Sequence, residues 1–398
     1  AMGGDCLHHG CVPSKALLKS ASVAYAMKTA DRWGLPASDL PVDIDAVNDS
    51  IVRAIETIQV HDSRERFESL GCEVIAGEAE LSGDMRVSVS GKQFDARRIV
   101  IATGSTALIP SIDGLDKVNY LTNEDMFSLP SLPKSMVILG GGAIGVEMAQ
   151  AWSRLGTHVT IIERASRLIP NMDPDSSRLL HEVLSAEGVT VHLDKEVIQV
   201  SEHLPADNPQ TGKTQKQLLL KDGAIVIGDE LLVAIGRRAN LDKLNLDSAG
   251  VDYDVQGIKV NSRMQTSNKK IYACGDVTGV MPLTHVAELQ AGIIIANIVF
   301  KLPKEISYEV IPSVIYTQPE VAQVGATVEQ CEGLAHCEIH QFELSRLDRA
   351  ITENDTSGVA RILIKKGRVI GAHIVAPHAG ELIHELALAI QEKMKIGK

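Results

Sequence analysis

The sequence predicts an α/β fold: two Rossmann-like dinucleotide-binding units followed by a C-terminal α+β unit. Three observations carry this. A strand, glycine loop, helix, strand and acid follow one another over residues 135–163. Two buried-strand runs of similar character end in Gly104 and Gly236. From about residue 308 apolar and polar positions alternate in short runs ahead of one last helix. With 398 residues there is room for two or three domains of roughly 150 residues, each with its own core.

In the central run, Ser135–Leu139 is an apolar strand that feeds Gly140-Gly141-Gly142-Ala143-Ile144-Gly145-Val146-Glu147. Met148–Leu155 then reads as a helix and Val159–Ile162 as a second strand ending on Glu163. Glycines at 140, 142 and 145 permit a tight turn, close backbone approach to a pyrophosphate and close packing of helix on strand. The helix N-terminus offers its N–H groups and positive dipole end to the phosphates. Glu163 stands 21 residues past Gly142, where an acid accepts the ribose hydroxyls of NAD and repels the 2′-phosphate of NADP. NAD is therefore favoured over NADP. Arg164 and Arg167 read either as phosphate ligands or as a solvated face.

Arg98–Gly104 and Leu231–Arg237 resemble each other as buried strands closing on glycine. Gly236 follows Gly140 by 96 residues, and the same interval counted back from Gly104 lands on residue 8. A first dinucleotide unit that carries the N-terminal segment as an insertion would have its glycine loop ahead of residue 1, so the chain reads as a fragment. Ile271–Asp276 is an apolar strand with a carboxylate at its tip. That acid is either a holder of polyol hydroxyls or an ordinary turn-starting aspartate.

The N-terminal segment is Gly3-Gly4-Asp5-Cys6-Leu7-His8-His9-Gly10-Cys11-Val12-Pro13-Ser14-Lys15. Pro13 suits the first turn of a helix that continues over Ala16–Lys28, so Cys11 is expected just before a helix N-terminus. Five extended residues span about 17 Å, whereas a disulfide needs its Cα atoms about 4.4–6.8 Å apart. A coiled segment containing Gly10 would bring Cys6 to Cys11. The helix dipole and Lys15 would then favour a Cys11 thiolate, with Cys6 as the exchanging sulfur. The spacing alone leaves open that these are two unrelated buried thiols.

Composition excludes several classes. Lys and Arg number 39 against 51 Asp and Glu, a net charge of −12, so no nucleic acid or anionic membrane is expected as a partner. Uncharged stretches such as Leu289–Phe300 are too short to span a bilayer. Six cysteines in so long a chain are not a disulfide scaffold, and a reducing, cytoplasmic location is expected. Cys72, Cys274, Cys331 and Cys337 read as small buried filler, and no metal site is expected.

Together, GGDCLHHGCVPSK, IATG, GGGAIGVE, AIGRRAN, YACGD with the following PLTHVAE, and YTQPEVAQVG resemble the class I pyridine nucleotide–disulfide oxidoreductases. These are the flavoproteins of the dihydrolipoamide dehydrogenase, glutathione reductase and mercuric reductase kind. The resemblance covers essentially the whole chain. It implies FAD against the cysteine pair, NAD on the flavin's other face, and a C-terminal domain that forms a homodimer. By matching position, Cys6 resembles the interchange thiol that meets substrate and Cys11 the charge-transfer thiol that meets the flavin. Lys15 and Glu147 resemble an ion pair beside the flavin's reactive nitrogen. Asp276 resembles the ribitol ligand, and Pro282, Leu283, Thr284 and His285 the backbone segment flanking the isoalloxazine. Ala79, Thr103 and Gly104 fall where FAD contacts are usual. Gly140, Gly142, Ala143, Ile144, Gly145, Glu147, Glu163, Val197 and Gly236 fall where the nicotinamide cofactor binds.

Two departures stand out. The flavin glycine loop is missing at the start, and the family's acid–base His–Glu pair would lie beyond Lys398. His378 and His384 are the nearest candidates and read as packing or surface residues. His8 and His9 receive no role. The implied domains are a discontinuous FAD-binding domain, 1–118 and 238–307, an NAD-binding domain, 119–237, and an interface domain, 308–398. Within them a helix Pro174–Glu187 is bracketed by Asp173 as cap and Gly188 as stop. Asn208–Gln217 reads as a hairpin loop. Val310–Tyr316, Ala360–Ile364 and Val369–Ile374 read as an antiparallel sheet under the helix Gly380–Met394.

The implied reaction is a relay from nicotinamide to flavin to Cys11 and then Cys6, ending on a lipoyl-type or other disulfide, or the reverse. Glu163 argues against a glutathione reductase. GGDCLHHGCVPSKAL and the run His61–Phe67 look closer to mercuric reductase-like relatives, which makes a mercuric ion the alternative acceptor. A pyridine-nucleotide transhydrogenase or NADH oxidase would pass hydride on without a dithiol, and the intact cysteine pair argues against it. A non-enzymatic alternative is a flavin-free remnant that binds NAD alone.

Overall fold

The structure, a computed structural model, describes residues 2–39, 41–83, 85–204 and 214–396. The chain packs as two units. The first comprises Ala1–Cys11, Ile55–Leu108 and Gly236–Tyr308, and the second Val12–Ala54, Ile109–Ile235 and Glu309–Lys398.

In the first unit, Ile99–Ile101 and Ile271–Ala273 pair in parallel. Ile271 and Ala273 face one apolar cluster with Ile99, Ile101, Ile258 and Val277. Tyr272 and Cys274 face another with Met264 and Ile294 of the helix Thr284–Ile298. Burial on both faces is what makes such strands read as unbroken apolar runs. An antiparallel meander of Ala79–Leu81, Arg86–Val89 and Lys92–Asp95 and the antiparallel pair Ser105–Ala107 with Arg237–Ala239 complete its sheets.

In the second unit a four-stranded parallel sheet has the order Glu230–Val233, Ser135–Leu139, His158–Ile162, Thr190–His192. The helix Ala143–Leu155 connects its two central strands. The helix Pro174–Ala186 is capped by the Asp173 side chain, which accepts from the Ser176 N–H at 3.1 Å. Gly188, with φ of 91°, ends it as expected. The C-terminal part is a five-stranded antiparallel sheet covered by the helix Ala379–Gln391. Ala322, Val324, Ala372, Ile374 and Ile383 form the core between them.

Several expectations are corrected. Cys6 lies in a short helix, Gly4–His8, rather than in coil, and the following helix starts on Cys11 itself, spanning Cys11–Lys28. The strand expected over 310–316 is only Ser313–Ile315, because Pro312 has no N–H to give a ladder. Most of the expected hairpin loop, 208–213, lies outside the described residues. Its last part is strand, since Gln215–Leu220 pairs antiparallel with Val197–His203. Cys331 and Cys337 are bonded to each other, with Cα atoms 5.5 Å apart, because the turn after the helix Val328–Glu332 brings the edge strand Cys337–Glu343 back beside it. Cys72 is exposed, so of the four expected fillers only Cys274 is a buried free thiol. Among the described residues no helix is long and apolar enough to cross a membrane.

A bridge closing so short a loop is worth about 2 kcal/mol on the chain-entropy account. The double variant Cys331→Ala, Cys337→Ala is expected to lose about that much stability, read as a lower urea midpoint.

Candidate active site

The two sulfurs come together because the chain folds back at Gly10. A Cβ there would stand 3.0 Å from both the Asp5 carbonyl oxygen and the Cys6 Cα, so that a side chain would require the turn to shift by a few tenths of an ångström. Both sulfurs meet one hydroxyl: Thr284 Oγ1 lies 3.1 Å from Cys11 Sγ and 3.5 Å from Cys6 Sγ. Thr284 is the first residue of its helix. Cys6 is half-buried and Cys11 exposed, and both are free thiols. The hydrogen bond to Cys11, and then burial, push the Cys6 thiol up, while the Thr284 hydroxyl pulls it down.

Asp5, immediately before Cys6, accepts from Arg237 Nη2 at 2.7 Å. Arg237 Nε donates to Ser105 Oγ at 2.7 Å, and Ser105 Oγ donates to Asp276 Oδ2 at 2.5 Å. Asp276 sits in a single tight turn, Gly275–Thr278, at the end of its strand. The loop at Thr103 and Gly104 is stitched to Asn240: the Thr103 hydroxyl donates to the Asn240 carbonyl at 2.9 Å, and the Asn240 amide to the Thr103 carbonyl at 3.0 Å. Gly104 has φ of 69° and open space where a side chain would stand. Pro282 and Leu283 lead into the helix that Thr284 and His285 begin, and Ala79 is exposed at the start of the meander.

In the second unit, Lys15 Nζ meets Glu147 Oε2 at 3.0 Å. Glu147 is only 6% exposed, and its other oxygen accepts from the Tyr316 N–H at 2.9 Å. The Lys15 ammonium also stands 4.4 Å from the centroid of the Tyr316 ring. Both oxygens of this buried side chain thus have donors, as burial of a polar group requires. Tyr316, which lines a cavity of about 180 Å³ with Lys15, Gln150 and Arg154, was not among the expected site residues. Neither its N–H bond nor its ring contact has a signature in local sequence.

The loop 140–145 has the form its glycines predict. A Cβ at Gly140 would meet the Ala234 carbonyl oxygen at 2.4 Å, and one at Gly145 the Gly140 carbonyl oxygen at 2.0 Å. Gly142 borders open space. The helix behind it, from Ala143 and Ile144 onward, has no side-chain cap and no acid in its first turn. Its N–H groups thus fit an anion such as a pyrophosphate. The two Glu163 oxygens accept from the Gly141 and Ala165 N–H groups, each at 2.6 Å. A carboxylate has about four lone-pair sites, so the acid is fixed in place yet still able to accept ligand hydroxyls. Arg164 borders a cavity of about 460 Å³ with Lys195 and Lys221, whose ammonium groups pair with Asp222 and Glu196. Arg167 Nη2 is spent on the Pro170 carbonyl at 2.8 Å. Val197 is buried at the start of its strand and Gly236 has φ of 138° beside open space. His384 is exposed, His378 is an exposed helix cap 4.0 Å from Glu381, and His8 bonds the Met2 carbonyl at 2.8 Å.

A paired dithiol and a dinucleotide loop on one α/β chain define a nucleotide-linked dithiol redox protein. Residues 1–291 match the family described as pyridine nucleotide-disulphide oxidoreductase, and residues 311–398 match that family's dimerisation domain. The chain belongs to this family, as a class I flavoprotein disulfide oxidoreductase, whose members use FAD and a pyridine nucleotide. It is 33% identical over 396 residues to a mercuric reductase of Lysinibacillus sphaericus, covering 98% of this chain and 71% of the relative. It is 34% identical over 408 residues to a dihydrolipoyl dehydrogenase of Bacillus subtilis, covering 99% and 86%. The crystal structure of LpdA from Mycobacterium tuberculosis superposes with a TM-score of 0.88 at 25% identity, over 99% of this chain and 86% of that one.

Thr284→Val removes the hydroxyl that lowers the Cys6 pKa while keeping its bulk. A hydrogen bond to a charged group is worth about 1.5–3 kcal/mol, so Cys6 alkylation by iodoacetamide at pH 8 is expected to slow about tenfold, followed by peptide mass spectrometry.

Proposed function

We propose that the chain passes electrons between NAD(H) and a disulfide-type substrate through Cys6 and Cys11. The observation that supports this reading is the single Thr284 hydroxyl in reach of both sulfurs. FAD, when bound, supplies the two-electron step that joins nicotinamide to sulfur. Toward a disulfide substrate, Cys6 loses its proton and attacks one substrate sulfur. A new S–S bond forms, and the other substrate sulfur leaves and takes up a proton. Cys11 then attacks the Cys6 sulfur, releasing the second substrate thiol and leaving a Cys6–Cys11 disulfide to be reduced. The reverse sequence oxidises a dithiol.

The role assignments keep the form the resemblance gives them. Asp276, Thr103, Gly104, Ala79 and the segment Pro282–His285 are assigned to FAD, and the Lys15–Glu147 pair to the polarisation of its reactive nitrogen. Gly140–Glu147, Glu163, Val197 and Gly236 are assigned to the nicotinamide cofactor. The choice of NAD rests on Glu163, whose oxygens are held in the loop by two N–H groups and whose charge opposes a 2′-phosphate. The domain division proposed is 1–118 with 238–307 for FAD, 119–237 for NAD and 308–398 for a homodimer interface. A reducing cytoplasm would keep the pair cycling. A lipoyl-type disulfide is the first choice of substrate. The mercuric reductase relatives favour a mercuric ion as the second reading, since a thiolate pair also binds a soft cation.

Anaerobic titration of the FAD-loaded chain tests this reading. NADH is expected to bleach the flavin and NADPH to do so at least tenfold less effectively; reduction by NADPH alone overturns the Glu163 assignment. Cys6→Ser is expected to leave bleaching by NADH intact while disulfide reduction falls at least a hundredfold. Wild-type turnover in that variant would sink the dithiol mechanism in favour of transhydrogenation.

A further inference from the structure

The helix that carries Cys6 is one short stretch, Gly4–His8, entered through Gly3 and Gly4 with φ of 85° and 63° and without a side-chain cap. So brief a helix has little stiffness of its own, yet it must hold a sulfur in register with Cys11 and Thr284. Its second residue supplies an anchor. The Asp5 carboxylate takes Arg237 Nη2 at 2.7 Å. That guanidinium is 18% exposed and rides on the strand Arg237–Ala239, which is paired in register with Ser105–Ala107. It also donates to the Ser105 carbonyl at 2.8 Å and to the Ser105 hydroxyl at 2.7 Å. The hydroxyl in turn donates a hydrogen bond to Asp276 Oδ2 at 2.5 Å, and Arg237 Nε stands 3.8 Å from the same oxygen. One cation thus serves two acids, one adjoining Cys6 and the other ending the strand Ile271–Ala273.

We propose that Asp5 is a positioning residue: through Arg237 and Ser105 it ties the Cys6 helix to Asp276, so that occupancy of Asp276 and placement of the Cys6 sulfur are coupled. This rests on the reading of Asp276 as the acid for the flavin's polyol chain and of Cys6 as the exchanging sulfur. Hydroxyls donated to Asp276 satisfy that carboxylate and leave the guanidinium to Asp5. By linkage, whatever strengthens the Asp5–Arg237 contact in turn favours the ligand at Asp276. A neutral residue at position 5 leaves the short helix tethered only through its other contacts, and the effective concentration of one sulfur at the other falls.

The test measures two quantities on the FAD-loaded chain: the equilibrium constant of the Cys6–Cys11 disulfide against glutathione, and the dissociation constant of FAD. Asp5→Asn is expected to shift the first about tenfold toward the dithiol and to weaken FAD binding about fivefold, although Asp5 itself need not touch the cofactor. Asp5→Glu, which keeps the charge, is expected to recover most of both. Arg237→Lys combined with Asp5→Asn should be little worse than either alone, as for two residues in one contact. Thermal midpoints separate these effects from loss of fold. A glutathione equilibrium within twofold of the parent in Asp5→Asn overturns the proposal, as does additivity of the two substitutions. If Cys6→Ser abolishes disulfide turnover while Asp5→Asn matches the parent in both constants, the positioning role fails and the dithiol reading stands. If Cys6→Ser turns over normally, the dithiol reading fails first.

Discussion

Sulfur exchange depends on proximity, and here it hangs on the return of the chain at Gly10. With no side chain at that position, the backbone passes against the Asp5 carbonyl and the Cys6 Cα, and Cys11 arrives as the first residue of the helix Cys11–Lys28. Thr284 Oγ1 then sits within reach of both sulfurs. The rest of the first unit serves to hold that hydroxyl and that turn in register. The parallel strands bring Asp276 to their end, and the helix Thr284–Ile298, packed through Ile294 on Tyr272 and Cys274, fixes its own first residue.

Negative charge is handled the same way at three places. Glu147 and Glu163 each have both oxygens met by donors, Lys15 and the Tyr316 N–H and the Gly141 and Ala165 N–H groups, and Asp276 has one oxygen met by the Ser105 hydroxyl. Donors built into the backbone need no reorganisation when a ligand arrives, which is how preorganised sites lower the cost of binding and reaction. At Glu163 the same bonds also tie the glycine loop to the end of the second strand.

Much of this was legible in the residues. The strand Ser135–Leu139, the caps of the helix from Pro174 and the glycine loop are set by contacts a few residues apart, and the structure returns them with little change at their bounds. One miss is local: the bond between Cys331 and Cys337 needed the turn that follows a five-residue helix. The others are nonlocal. Tyr316 reaches Glu147 from 169 positions away, and Arg237 reaches Asp5 across 232. No periodicity or spacing rule spans such intervals, because the partner is chosen by packing.

The sequence by itself determined where the chemically distinctive residues stand: two cysteines about a glycine, a glycine loop ahead of a helix, an acid closing the next strand. Those follow from covalent spacing and backbone sterics, which act locally. Only the tertiary structure decided how those residues are arranged: which hydroxyl both sulfurs share, which cation stands between Asp5 and Asp276, and which donors meet the two oxygens of the buried Glu147. These depend on where strands far apart in the chain come to lie, and that is settled by burial of apolar surface over the whole unit rather than by any short stretch of it.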